Sequence, residues 1–210
     1  MTRVKVCGIT NRDDADTCIR CGADAIGFVF AASPRRISPQ EAREILQGCA
    51  PFVTSVGVFV DRPVEEVTRA LEVSGCALAQ LHGAESPEYV QALSPHRVIK
   101  AIRVGQDLDE TLARSYKGVS AILLDTYVAG LAGGTGRRFD VRLAVRLVQE
   151  GWRVILAGGL TPQNVGEVVA SVRPYGVDVS SGVESAPGRK DPEKVARFIA
   201  AVREADRAGA

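Results

Sequence analysis

The chain has 210 residues, 46% of them hydrophobic and 24% charged, which excludes a disordered tail, a collagen-like repeat and a disulfide-stapled miniprotein. Its 26 basic residues against 25 acidic ones leave a formal charge of +1, so no broad field draws it to nucleic acid or an anionic membrane, and only a local anion site fits that balance. No apolar run reaches the ~18 residues of a membrane span, and the opening Met1-Thr2-Arg3-Val4-Lys5-Val6-Cys7 lacks a signal peptide's apolar stretch, so a cytoplasmic protein without a membrane partner is expected.

Short β-rich runs alternate with helical patterns along the whole chain. A first strand at Arg3 to Cys7 precedes a helix at Asp13 to Cys21, and a second at Ala25 to Phe30 precedes a helix at Pro39 to Gln47, where Ala42, Ile45 and Leu46 form a one-sided apolar stripe. Strands at Val53 to Phe59 and Ala77 to Leu81 lead into helices at Pro63 to Ser74 and Pro87 to Leu93. The next two, at Arg97 to Ile102 and Ala121 to Leu124, lead into Leu108 to Tyr116 and Val141 to Gln149. The last pair, Arg153 to Ala157 and Gly176 to Val179, is followed by helices at Pro162 to Val172 and Asp191 to Asp206. Four helix starts pair a capping residue with proline, at Ser38-Pro39, Ser86-Pro87, Thr161-Pro162 and Asp191-Pro192, because proline's fixed φ suits the first turn and its missing N–H costs nothing there. Eight βα units without a long linker predict an α/β fold, a single (βα)8 TIM barrel occupying residues 1–210 as one domain.

Five cysteines, Cys7, Cys18, Cys21, Cys49 and Cys76, are an odd number in a chain with no export signal and read as reduced thiols. Cys18-x-x-Cys21 has no second CxxC, and His82 and His96 lack zinc-finger spacing, so the pair reads as helix residues. Asp125, Asp178, Glu184 and His82 are single residues without a diagnostic ligand spacing, and the site is treated as metal-free.

In a barrel, chemistry belongs to the C-terminal strand ends and the loops after them. Strand one ends in Cys7, beside Gly8, and strand six runs Ile122-Leu123-Leu124-Asp125-Thr126. Taken singly, the thiol reads as a small buried hydrophobe and the carboxylate as a turn cap. Converging on one face, they form a candidate acid/base pair. Glycine loops follow strand six at Gly133-Gly134-Thr135-Gly136, strand seven at Gly158-Gly159-Leu160, and strand eight at Ser180-Ser181-Gly182-Val183-Glu184. The last two sit where barrels present backbone N–H groups to phosphate, which nominates Gly158, Gly159, Ser180, Ser181 and Gly182. None matches the nucleotide-binding glycine patterns, so neither a nucleoside triphosphate nor NAD is expected. After strand two, Arg35 and Arg36 read either as solvated surface or as a cation for an anionic substrate.

Together these motifs resemble the phosphoribosylanthranilate isomerase family, barrel enzymes of tryptophan biosynthesis. The landmarks run in family order: Lys5-Val6-Cys7-Gly8-Ile9-Thr10, Gly22-Ala23-Asp24-Ala25-Ile26-Gly27-Phe28-Val29-Phe30, Gln80-Leu81-His82-Gly83, Leu123-Leu124-Asp125-Thr126, Gly133-Gly134-Thr135-Gly136, Ala157-Gly158-Gly159-Leu160 and Asp178-Val179-Ser180-Ser181-Gly182-Val183-Glu184. The resemblance implies an Amadori rearrangement of N-(5'-phosphoribosyl)anthranilate with Cys7 as general base and Asp125 as general acid. It also implies substrate contacts from Arg35, Gln80, His82 and Asp178, phosphate held by the last two loops, and Gly133, Gly134, Thr135 and Gly136 as a cover. This chain has Arg36 where the family usually has Tyr or Phe, which leaves the division of labour between the two arginines open. No cofactor is implied, the expected partner is a small phosphorylated substrate, and either a monomer or a homodimer fits. The alternatives are another phosphosugar barrel, whose strand-one base is expected to be aspartate or whose chemistry relies on lysines and glutamate, and a catalytically silent phosphosugar-binding barrel.

Overall fold

Eight parallel strands close into a barrel, each paired with the next in chain order and the last with the first. The computed structural model describes residues 1–104, 110–125 and 141–209. The strands are β1 Arg3–Cys7, β2 Ala25–Val29, β3 Thr54–Phe59, β4 Leu78–Leu81, β5 Arg97–Arg103, β6 Ala121–Asp125, β7 Val154–Ala157 and β8 Gly176–Val179. They alternate with helices α1 Arg12–Arg20, α2 Pro39–Leu46, α3 Val64–Ser74, α4 Pro87–Ala92, α5 Glu110–Ser115, α6 Val141–Gln149, α7 Val165–Val172 and α8 Pro192–Ala208. The expected fold class is the one observed. Among the described residues no helix is long and apolar enough to cross a membrane.

Because strand side chains alternate between faces, each strand feeds two separate cores. Inside the barrel, Val56, Leu78, Ile99, Ala121, Leu123 and Ile155 pack with the small residues Ala101 and Ala157. Outside, Val4, Val6, Ile26 and Phe28 pack into the layer that also takes Val195, Phe198, Ile199 and Val202 of α8. Each such buried side chain contributes roughly 1.5–3 kcal/mol of hydrophobic stabilisation. These apolar side chains fill the middle of the barrel, and a cavity at its N-terminal end reaches up to Lys5.

Helix starts follow the expected cap chemistry at three sites. Ser38 caps α2 in a reciprocal box with Glu41, Ser86 accepts from the Tyr89 N–H at α4, and Asp191 accepts from the Glu193 and Lys194 N–H groups at α8. The fourth, Thr161-Pro162, is corrected. Asn164 Oδ1 accepts the Thr161 N–H at 2.8 Å and the Thr161 hydroxyl accepts the Gln163 N–H, so the chain turns once and α7 begins only at Val165. Beyond β8 lies a turn of 3₁₀ helix, Ser181–Val183, then an antiparallel hairpin of β9 Glu184–Ala186 and β10 Arg189–Lys190 that the sequence pattern does not announce.

Candidate active site

At the C-terminal mouth the inward positions turn polar. Lys5 and Cys7 alternate on β1 and share its inner face, Lys5 standing in register with Asp178 of β8 and Cys7 with Gly27 of β2. Lys5 Nζ donates to Asp178 Oδ2 at 2.9 Å, with both side chains almost wholly buried. Lys5 Nζ and Cys7 Sγ lie side by side over Gly27, and the ammonium acts on the sulfur electrostatically. A Cβ on Gly27 would lie 2.8 Å from Cys7 Sγ and 3.1 Å from Lys5 Nζ, so only glycine leaves room for both. Burial pushes the Cys7 thiol above its ordinary value; Lys5 pulls it down, Asp178 pushes it up, and Lys190 pulls it down.

Across the mouth a second polar chain is built on β4 and β6. Gln80 Nε2 lies 3.2 Å from His82 Nδ1, and His82 Nε2 lies 3.0 Å from Asp125 Oδ2. Since the amide nitrogen can only donate, Nδ1 accepts, the ring proton sits on Nε2, and His82 donates to Asp125. The sequence-nominated residues therefore fall into two groups, Cys7 with Asp178 and Gln80 with His82 and Asp125. Two buried acceptors, Gln80 Oε1 and Asp178 Oδ1, have no hydrogen-bond partner among the described residues.

The arginines separate clearly. Arg35 is partly buried, its alkyl chain crosses Gly8, and its guanidinium forks onto Glu184 with Nε to Oε1 at 2.7 Å and Nη2 to Oε2 at 2.6 Å. Arg36 is exposed. Glu184 is also held by Lys190, whose buried Nζ reaches Glu184 Oε1 and the Cys7 carbonyl at 2.7 Å each. Burial alone would raise the Glu184 carboxyl; hydrogen bonds from Arg35 and Lys190 outweigh it and hold it below its usual range.

The loops after β7 and β8 touch directly. Gly158 and Gly159 form a left-handed turn, φ 90 and 65°, whose Gly159 carbonyl accepts from Asn164 Nδ2 at 2.9 Å. A Cβ on Gly182 would sit 1.8 Å from the Leu160 carbonyl oxygen, so glycine is what lets the 3₁₀ turn close against the preceding loop. Ser180 precedes that turn, and the backbone N–H groups of Gly159, Ser181 and Gly182 donate to no acceptor among the described residues. Gly133, Gly134, Thr135 and Gly136 lie outside the described residues.

Sequence reasoning passed over Lys5, Glu184 and Lys190 as working parts of this mouth. Lys5 carried a usable signal, since a residue two before Cys7 on a strand must share its face. Lys190 carried none, because its hairpin is too short to register as a pattern.

Residues 4–201 match the family model described as N-(5'phosphoribosyl)anthranilate (PRA) isomerase. An N-(5'-phosphoribosyl)anthranilate isomerase of Geobacter sp. (strain M21) is 52% identical over 201 residues, covering 95% of this chain and 97% of its own. The crystal structure of phosphoribosyl anthranilate isomerase from Thermotoga maritima superposes with a TM-score of 0.88 at 41% identity, covering 97% of this chain and all of that one. A structure of such an isomerase in complex with reduced 1-(o-carboxyphenylamino)-1-deoxyribulose 5-phosphate gives a TM-score of 0.86 at 40% identity, covering 97% of this chain and 100% of that one. Matched in this way along nearly its whole length, the chain belongs to the N-(5'-phosphoribosyl)anthranilate isomerase family and is an isomerase of tryptophan biosynthesis.

Proposed function

We propose that Cys7 is the general base and Asp125 the general acid in the rearrangement of N-(5'-phosphoribosyl)anthranilate to 1-(2-carboxyphenylamino)-1-deoxyribulose 5-phosphate. Asp125 Oδ2 is occupied by His82, so the proton it delivers rides on Oδ1. Transfer of that proton to the furanose ring oxygen breaks the C1'–O bond while the anilino nitrogen lone pair forms the C1'=N iminium. Cys7 thiolate then takes the C2' proton, the C2'–H electrons form C1'=C2', and the iminium π electrons return to nitrogen. The enolamine tautomerises to the ketone. Each proton transfer contributes about 10²–10⁴-fold in rate. The substrate's own nitrogen is the electron sink, so this sequence calls for no redox cofactor and no metal.

The observation that carries this reading is the placement of a thiol and a carboxyl at one mouth, the thiol beside the Lys5 ammonium and the carboxyl hydrogen-bonded to His82. The substrate supplies what the mouth lacks. Its ribose hydroxyls and anilino N–H are donors for Gln80 Oε1 and Asp178 Oδ1, its carboxylate suits Arg35, and its phosphate suits the N–H groups of Gly159, Ser181 and Gly182, flanked by Gly158 and Ser180. In this proposal residues 1–210 act as one catalytic domain on a phosphorylated small molecule, as a monomer or homodimer in the cytoplasm, with neither nucleic acid nor membrane as partner. Purified protein mixed with freshly prepared N-(5'-phosphoribosyl)anthranilate should extinguish the anthranilate fluorescence. No loss of signal beyond spontaneous decay, from folded protein, overturns the proposal.

A further inference from the structure

The base assigned to Cys7 needs a thiolate, yet the thiol is buried, and burial works against the charged form. One element offsets this from directly beside the sulfur. Lys5 is 4% exposed, lies on the same face of β1, and bends over Gly27 into the space that Cys7 Sγ also occupies. Asp178 ties its Nζ at 2.9 Å from the neighbouring strand. Burial favours the neutral amine, but Asp178 and Cys7 together outweigh it and keep Lys5 above its ordinary value, as an ammonium. Other charged groups acting on the sulfur are Lys190 from β10, Arg35 from the loop after β2, and the Asp178 carboxylate itself.

We propose that Lys5 is the positioning residue of this active site, an ammonium anchored by Asp178 that orients the Cys7 sulfur and stabilises its thiolate. The proposal rests on the assignment of Cys7 as base. It gives opposite signs to the two partners of one ion pair: Lys5 favours the thiolate and Asp178 opposes it, although Asp178 keeps Lys5 in place. A pair that served only to satisfy a buried charge would act with one sign, since loss of either partner would loosen the same strands.

The test follows carboxamidomethylation of Cys7 against pH, read by mass spectrometry on its own peptide so that Cys18, Cys21, Cys49 and Cys76 do not contribute. Lys5→Met should lower the rate at pH 8 by tenfold or more, equivalent to a thiol value displaced upward by at least one unit, whereas Asp178→Asn should leave the rate unchanged or raise it. Because Lys5→Met leaves Asp178 buried and unpaired, Lys5→Met/Asp178→Asn is measured beside it; removing both charges should displace the profile the same way as Lys5→Met, by less. Equal slowing in both single variants, or a wild-type profile in the folded double variant, overturns the proposal. Alkylation needs no substrate, which separates the two readings. A displaced profile in an enzyme that does not turn over keeps the pairing and removes the reaction. An undisplaced profile in an enzyme that needs Cys7 for turnover does the reverse.

Discussion

Two buried lysines on opposite faces of the same barrel end in different kinds of network. Lys100 of β5 points outward, 2% exposed, and its ammonium meets the Glu85 carboxylate and the Gly83 carbonyl at 2.7 Å each and the Leu81 carbonyl at 3.4 Å. Glu85 is itself saturated by the Asp61 and Gly83 N–H groups, and its carbonyl takes the Tyr116 hydroxyl. Lys5 points inward, and its network stops short, with a nucleophilic sulfur on one side and Asp178 Oδ1 unpartnered on the other. A polar cluster that closes on itself holds a fold together. One that ends in open acceptors leaves them to bond a ligand or an ordered water.

The closed network is most sensitive at Lys100. Lys100→Met strands a buried carboxylate, and thermal or urea denaturation should register a loss of about 3–5 kcal/mol. The kcat of the protein that remains folded should change less than twofold; a selective loss of kcat would mean that the outer network reaches the chemistry. Asp125→Asn should do the opposite. It keeps the shape and the acceptor for His82 but has no proton to deliver, so kcat should fall by at least about two decades with a smaller change in KM and in melting temperature. A near-wild-type kcat would remove the acid role from Asp125.

A smaller effect belongs to Glu184, which stands between these extremes because it holds Arg35 and Lys190 at once. Its carboxyl titrates lower in the folded chain than in the unfolded one, so its stabilisation is complete above the usual value of about 4.5 and fades as pH falls through the folded value. Glu184→Gln should therefore melt a few degrees below wild type at pH 7, with the gap closing as the solution is acidified below the usual carboxylate range, and should raise KM as Arg35 comes loose. A gap independent of pH would remove the carboxylate from that account.

How much of this was legible in the sequence depended on whether a pattern was long enough to carry it. Eight strand–helix alternations without a long linker specify the barrel. The strand ends then place Cys7 and Asp125, whereas Asp178 entered only through the resemblance to the family. The Thr161-Pro162 pair misled because capping residues and Pro are equally at home in a turn, and what decided was the Asn164 side chain taking the Thr161 N–H. Arg35 and Arg36 are adjacent and chemically identical, so only the partner separates them: Glu184, 149 residues further on, draws one inward. Lys190 became visible only once the β9–β10 hairpin folded it under the mouth.

On the proposed assignment the open network, not the barrel alone, performs the rearrangement through Cys7. The most direct measurement compares wild type with Cys7→Ala in the fluorescence assay on N-(5'-phosphoribosyl)anthranilate, with binding of the product followed calorimetrically in both. A small thiol replaced by a small apolar group at a strand end should leave melting and product affinity close to wild type and abolish turnover. Undiminished kcat in Cys7→Ala would contradict the account.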